Sequence, residues 1–404
     1  MALIHPFAAL RPAPDAAAAV AAVPYDVVSA EEARALAVGN PLSFLHVSRA
    51  EIDLPPGTDP YADAVYDRAA ENFSDLRARA PLVEEESAAL YIYQLHMGAH
   101  VQTGVAACFS IDEYDANLIR KHEKTRPDKE DDRTRHMLAI HAQTGPVFLT
   151  YAASASIDRV VTHTTQRPPL FDFVAPDGVR HVLWVVDPGD HDALIAGFAA
   201  LPALYIADGH HRAASAARAR RALEGRGSGE HDRVLAVAFP DNQMQILPYN
   251  RVVRDLNGIS PAEFLERVRG QVGLSESPTE TPSRKGQAGM YLGGRWYTLD
   301  LGSRAPRTGG IDALDVSVLQ DALLDPVLGI QDVRTDKRID FVGGIRGTGE
   351  LTRLVDAGTF AVAFSLFPVT IRDLMDIADA CGIMPPKSTW FEPKLRDGLL
   401  SHLI

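Results

Sequence analysis

Residues 203–212 read ALYIADGHHR, an apolar run that gives way to Asp208, Gly209, His210, His211 and Arg212. Ala and Arg then dominate from Ala213 to Leu223. The pattern predicts a short buried strand, a polar turn and the first turn of a helix. A helix start leaves backbone N–H groups unpaired and carries the positive end of the helix dipole, so it favours a bound anion. Arg212 adds a planar fork suited to phosphate or carboxylate, and two imidazoles add donors or ligands. Asp208 is the one negative group at the edge of this cluster. A competing reading is purely local: Asp208 caps the helix and the histidines lie on a solvated turn.

Working outward, Ser29 with Glu32 forms a capping-box signature for a helix over residues 30–38, stopped by Gly39-Asn40-Pro41. Residues 43–47 read as a strand carrying His46, and residues 61–79 have helical spacing. Residues 90–95 and 104–111 are apolar strand candidates with Gly98 between them, which suggests a hairpin. Residues 120–136, RKHEKTRPDKEDDRTRH, read as a solvated helix with i,i+4 pairs such as Asp131–Arg135 and Asp132–His136. Strands are expected at residues 148–152, 182–186 and 234–239, and a short helix at 193–200. Residues 275–287 are linker-like, and strand alternation resumes over 289–301 with a turn at Gly293-Gly294. An amphipathic helix over 312–328, a strand over 360–367 and a helix over 370–380 follow. Strands and helices alternate irregularly with hairpins between, so a mixed α/β or α+β sheet is expected rather than a regular doubly wound one.

Composition narrows the function classes. The 404 residues are 46% hydrophobic and 23% charged, as in ordinary globular proteins. A formal charge of -13, from 40 basic against 53 acidic residues, disfavours sequence-independent nucleic-acid binding. Cys108 and Cys381 are too few for a disulfide framework or a Cys-rich metal site. The first residues lack the features of a secretory signal, and no apolar run is long enough to span a membrane. A cytosolic protein without membrane or nucleic-acid partners is expected, its partner a small-molecule substrate, its oligomeric state open.

Other polar clusters supply the residue types of phosphoryl transfer, which needs cations on phosphate oxygens and a carboxylate for the acceptor proton. His122-Glu123-Lys124-Thr125-Arg126 sets one carboxylate among cations, which favours its ionised form. Its alternative is a charged helix face. Arg334-Thr335-Asp336-Lys337-Arg338 could hold a nucleotide or form a charged turn, and the turn is the favoured reading. GIMPPKS at residues 382–388 fails as a P-loop, because Pro386 stands where glycine must precede the lysine. No HExxH, GxSxG or GxGxxG pattern occurs, so zincin, serine-hydrolase and Rossmann readings have no support.

The DGHHR strand–turn–helix resembles the signature of the ParB/sulfiredoxin-like superfamily. His210 stands where sulfiredoxins carry their catalytic cysteine, which rejects sulfinic-acid reduction, and the Gly-Glu-Arg-Arg turn of ParB proteins is absent. The turn is most similar to that of SerK-like free serine kinases. The chain as a whole resembles the bacterial and archaeal domain-of-unknown-function family 1015. That resemblance rests on Pro24-Tyr25-Asp26-Val27-Val28, residues 40–46, His122-Glu123-Lys124-Thr125, residues 207–212, Leu247-Pro248-Tyr249-Asn250-Arg251, residues 334–344 and residues 384–395.

The resemblance implies a ParB/sulfiredoxin-like nucleotide-binding core with a mixed sheet, residues 101–255, elaborated by an N-terminal α/β segment, 1–100, and a C-terminal one, 256–404. It implies a kinase that phosphorylates the hydroxyl of free L-serine with Mg²⁺ and with ATP or pyrophosphate as donor. Gly209, His210, His211 and Arg212 would bind donor phosphates, and Asp208 would contact Mg²⁺ or the acceptor hydroxyl. Glu123 would be the catalytic base. Lys124, Thr125, Arg126 and Arg133 are candidates for the donor phosphates or the serine carboxylate. His46, His136, Lys387, Ser388 and Lys394 are candidates for contacting substrate or closing the site. The alternative is a non-catalytic nucleotide-binding regulatory module built on the same turn, which would not need Glu123 beside it.

Overall fold

The structure, a computed structural model, describes residues 3–79, 82–306 and 309–404. Its contacts divide the chain into two units, Met1–Met244 with Pro393–Ile404, and Gln245–Glu392. The first unit is built on a nine-stranded mixed sheet. In chain order its strands are β1 (Ile4–His5), β2 (Tyr91–Met97), β3 (His100–Ser110), β4 (Ile119–Arg120), β5 (Val147–Tyr151), β6 (Phe171–Val174), β7 (Arg180–Val185), β8 (Leu204–Asp208) and β9 (Arg233–Pro240). Across the sheet they run β4-β8-β5-β9-β3-β2-β7-β6, with β1 also paired to β3. β8 is parallel to β4 and antiparallel to β5, while β5 and β9 are parallel. The sheet is therefore mixed, as the irregular alternation predicts.

The hairpin β2–β3 turns at Gly98, whose φ of 58° is one that glycine adopts without steric cost. It crosses residue 100, one of the divisions expected from the sequence. β3 and β9 lie in the middle of the sheet and are buried almost throughout, so they read as near-continuous apolar runs rather than alternating ones. The helices of this unit include α1 (Asp63–Arg79), α2 (Pro127–Ile140), α3 (Ala155–Thr165), α4 (His191–Ala199) and α5 (His210–Leu223). Ile157, Leu194, Phe198, Ala213, Ala216 and Ala217 from α3, α4 and α5 pack with Phe109, Tyr151 and Ile206 of the strands. The small alanine face of α5 lets the helix lie close to its neighbours. A second cluster, with Phe44, Leu45, Val47, Ala69, Phe73 and Ile140, sits around α1.

Two expectations change here. Residues 43–47 do not form a strand; Leu45–Ser48 is a single helical turn with Leu45, Val47 and Ser48 buried. A short apolar run buried on several sides carries no periodicity to separate the two states. The charged stretch is helical only from Pro127, which occupies the first helical position, and it is not a solvated rod. Asp132, Thr134, His136, Met137 and Ile140 are buried on one face. The expected i,i+4 pairs are replaced by long-range ones. Asp131 pairs with Arg218 at 3.0 Å, Arg135 pairs with Asp63, and Asp132 accepts from Tyr66 at 2.9 Å.

The second unit carries a six-stranded antiparallel sheet of β10 (Tyr249–Val253), β11 (Gly273–Ser275), β12 (Gln287–Leu292), β13 (Arg295–Asp300), β14 (Ile339–Gly343) and β15 (Val362–Leu366), in the order β11-β13-β12-β15-β10-β14. The turn at Gly293-Gly294 joins β12 and β13 as expected. The helix expected over 312–328 is instead broken into a 3-10 turn at Ile311–Ala313, an α turn at Asp315–Leu319 and a π turn at Gln320–Leu324. Val316, Val318, Leu319, Ala322, Leu323 and Leu324 are all buried, so no single face is apolar and no amphipathic helix is needed. Residues 382–388 lead into the strand Trp390–Phe391 and not into a helix, in keeping with the rejection of a P-loop. Lys387 and Ser388 belong to this unit, and the Ser388 hydroxyl donates to the Pro385 carbonyl at 2.6 Å. Among the described residues no helix is long and apolar enough to cross a membrane.

Candidate functional site

The DGHHR stretch folds as its composition predicts. β8 ends at Asp208, Gly209 takes φ 89°, and α5 starts at His210. The left-handed backbone requires glycine, and a Cβ there would lie 3.3 Å from the Arg212 guanidinium. No side chain caps the helix, so the competing reading of Asp208 as a cap does not hold. Asp208 faces cations instead: its Oδ2 lies 3.2 Å from Lys394 Nζ and 3.5 Å from Arg212 Nη2. Burial alone would raise its pKa, but Lys394 and Arg212 outweigh burial and hold the carboxyl far below the usual range. Lys394 reaches this site because residues 393–404 return to the first unit.

Arg212 is 4% exposed. Its Nη1 donates to the Pro146 carbonyl at 2.5 Å, whereas Nε and Nη2 have no hydrogen-bond partner among the described residues. Asp26 lies 3.8 Å from Nη2, too far for a hydrogen bond. Burial disfavours the charge, yet Asp26, Asp208 and Asp397 together raise the Arg212 pKa. A buried guanidinium with two unused edges beside an uncapped helix start has the donors of an anion site.

The 121–126 loop meets this turn through the two histidines. The Arg126 amide donates to His211 Nε2 at 3.0 Å, and the His122 amide lies 3.4 Å from His210 Nε2. The His122 and His210 rings stand edge to face with centroids 4.5 Å apart. Burial lowers both imidazoles, His122 to about 4, so both are neutral at physiological pH. One ligand atom each from His122, Glu123 and His210 lies within 4.8 Å of the other two. Residues 88 positions apart in sequence thus form one cluster.

The remaining candidates divide. Lys124 is exposed in the same loop. The Thr125 hydroxyl donates to Glu130, and the Arg126 side chain is exposed and paired to Asp128 at 2.7 Å. Arg133 is tied to Asp132 at 2.9 Å and to the Ser48 carbonyl at 3.3 Å, with its guanidinium 4.1 Å over the Tyr25 ring. His136 is buried against the Val47 carbonyl at 2.9 Å. His46 pairs with Asp53 at 2.9 Å and lines a separate cavity of about 170 Å³ with Asn72, Asp75 and Arg79.

A profile described as protein of unknown function, DUF1015, matches residues 4–317. The chain belongs to the DUF1015 family. No curated protein matches it. Among solved structures it is similar to a free serine kinase in complex with AMP, at 13% identity and TM-score 0.38 over 73% of this chain and 91% of that one. It is similar to a conserved hypothetical protein from Pyrococcus furiosus at 13% identity and TM-score 0.36, covering 74% of this chain and 95% of that one. It is also similar to SbnI with C-terminal truncation from Staphylococcus aureus at 12% identity and TM-score 0.41, covering 74% and 87%.

In this DUF1015 protein the residues that sequence reasoning passed over are Asp26 and Asp397. Asp397 is held by a two-way backbone bridge to Ala22, at 2.9 and 3.1 Å, and a Cβ on Gly145 would lie 2.8 Å from its Oδ1. Among the described residues that buried oxygen has no hydrogen bond. Burial pushes the carboxyl up to about 7, against the pull of Arg212 and with a further push from Asp26. Asp26 lies within a motif singled out by resemblance, and Asp397 two residues beyond another; neither position has a local pattern that marks it as acid chemistry.

Proposed function

We propose that this chain is a phosphotransferase that moves a phosphoryl group from ATP or pyrophosphate to the hydroxyl of free L-serine. The observation that carries the reading is the approach of Glu123 to the DGHHR helix start, a carboxylate oxygen within 4.8 Å of a His210 ring nitrogen. A sensor that only holds a nucleotide has no use for an acid there. In the reaction, N–H groups of the first turn of α5 and the unused edges of Arg212 hold the donor oxygens and the charge that develops on them. Glu123 takes the hydroxyl proton as the serine oxygen–phosphorus bond forms and the bond to the leaving phosphate breaks. Lys124 supplies a cation for the serine carboxylate or the donor. Asp208 stays ionised and fixes Lys394 and Arg212.

Mg²⁺ takes oxygen ligands in a near-octahedral shell and is often carried in on substrate phosphates. The Asp208 carboxylate is engaged by two cations, and the three-residue donor cluster contains two imidazoles. Neither is an oxygen cradle for Mg²⁺, and the reaction above uses only the chain's own residues. The test is incubation with L-serine and each donor, followed by detection of phosphoserine. Glu123→Gln is expected to abolish product while leaving donor affinity within about twofold. Absence of product with every donor, with nucleotide binding retained, would instead identify the regulatory module.

A further inference from the structure

The cluster of His122, Glu123 and His210 has a donor set that the phosphotransfer reading leaves unexplained. His122 is 2% exposed, and among the described residues neither of its ring nitrogens has a hydrogen-bond partner. The Ile206 backbone favours the protonated ring electrostatically, yet neither ring nitrogen has a hydrogen bond among the described residues. Buried imidazoles ordinarily satisfy at least one nitrogen. His210 is buried too, and its contact to the His122 amide, at 3.4 Å, is at the outer limit of a hydrogen bond. The three ligand atoms lie within 4.8 Å of one another. Around an ion with bonds of about 2.0–2.2 Å they would close to roughly 3.4 Å, a change that side-chain rotation supplies.

We infer that His122, Glu123 and His210 form a binding site for a divalent first-row transition-metal ion. Two imidazoles and a carboxylate suit Zn²⁺, Co²⁺ or Mn²⁺ far better than Mg²⁺, which seeks oxygen. Three protein ligands leave at least one position for water or a ligand oxygen. The ion would replace the weak contact between the His122 amide and His210. It would also engage the carboxylate to which proton removal is assigned above. Metal binding does not depend on that assignment, and it is measured without serine or donor.

The test uses full-length protein without an affinity tag, stripped with chelator and titrated with Zn²⁺, Co²⁺ and Mg²⁺ by calorimetry and visible absorption. One equivalent of Zn²⁺ or Co²⁺ is expected, with visible bands from low-coordinate Co²⁺ and no competition by Mg²⁺ at equal concentration. Glu123→Gln and His122→Asn should each weaken Zn²⁺ binding at least about tenfold, a loss that even outer-sphere changes produce. His163→Ala, which removes an exposed ring on α3 paired to Asp190, should leave it unchanged. Should His122→Asn unfold, the half-buried Glu123→Gln variant decides. No saturable binding by the unaltered protein, or binding that Glu123→Gln leaves intact, would overturn the inference.

Discussion

Replacing Asp397 by asparagine should change how the stability of this protein depends on pH. Asp397 is 2% exposed, and its carboxyl is pushed up to about 7 by burial, partly offset by Arg212. An unfolded aspartate titrates near about 3.9. Between these values the folded state holds a proton that the unfolded state has released, so stability falls as pH rises. The slope is about 1.4 kcal/mol per pH unit, and the full difference is about 4 kcal/mol. Asparagine keeps the shape and removes the titration. Urea unfolding of both proteins from pH 5 to pH 8 should therefore show the variant gaining on the parent by about 2.5 kcal/mol across that range. A constant difference across the range would refute the reasoning, because it would mean that Asp397 carries the same charge in both states. That outcome would mean that Arg212 outweighs burial and keeps the folded carboxylate ionised throughout the range.

Three further outcomes follow from the same geometry. Gly209→Ala places a side chain at φ 89° and should cost about 1–2 kcal/mol in thermal or urea unfolding, with weaker phosphate binding because the new Cβ meets Arg212. Arg212→Met removes the cation shared by Asp26, Asp208 and Asp397 and should cost about 3–5 kcal/mol, and a phosphate titration should show no residual binding. Lys394→Met should cost about 2 kcal/mol at neutral pH. Asp208 is held low by Lys394 and Arg212 despite burial, so its contribution is present above the unfolded pKa and is lost as pH falls. Without Lys394 that loss comes at higher pH, and acid unfolding followed by circular dichroism should shift upward.

Much of the local structure was legible because it rests on local chemistry. The Ser29–Glu32 capping box, the Gly98 hairpin, the Gly293-Gly294 turn and the strand–turn–helix at 204–223 are all set by residues within a few positions of one another. The misreadings share a cause. Residues 45–48 are helical inside a buried cluster, and α2 buries part of its surface although 7 of its 14 residues are charged. Its partners Tyr66, Asp63 and Arg218 are remote in sequence, so the helix is wrapped in ion pairs that no i,i+4 rule anticipates. The site shows the same limit. No HExxH spacing marks a metal site in the sequence, yet His122 reaches His210 across 88 positions. Lys394 was found through a motif and Asp397 was not, because burial beside Arg212, and not residue type, makes that acid unusual.

The second unit enters and leaves through a short antiparallel pair, Ile246 opposite Phe391 and Leu247 opposite Trp390. Residues 245–392 interrupt the first unit in sequence, so Lys394 and Asp397 meet Asp208 and Arg212 from the far end of that insertion. With the pair formed, the interruption behaves entropically as a loop of a few residues. With it broken, closing the first unit would mean closing a loop roughly six doublings longer, at about 0.6 kcal/mol each, or about 4 kcal/mol in all. The strand pair at the base of the inserted unit therefore shortens the loop across it, and its formation sets the effective concentration at which residues 393–404 meet the DGHHR turn.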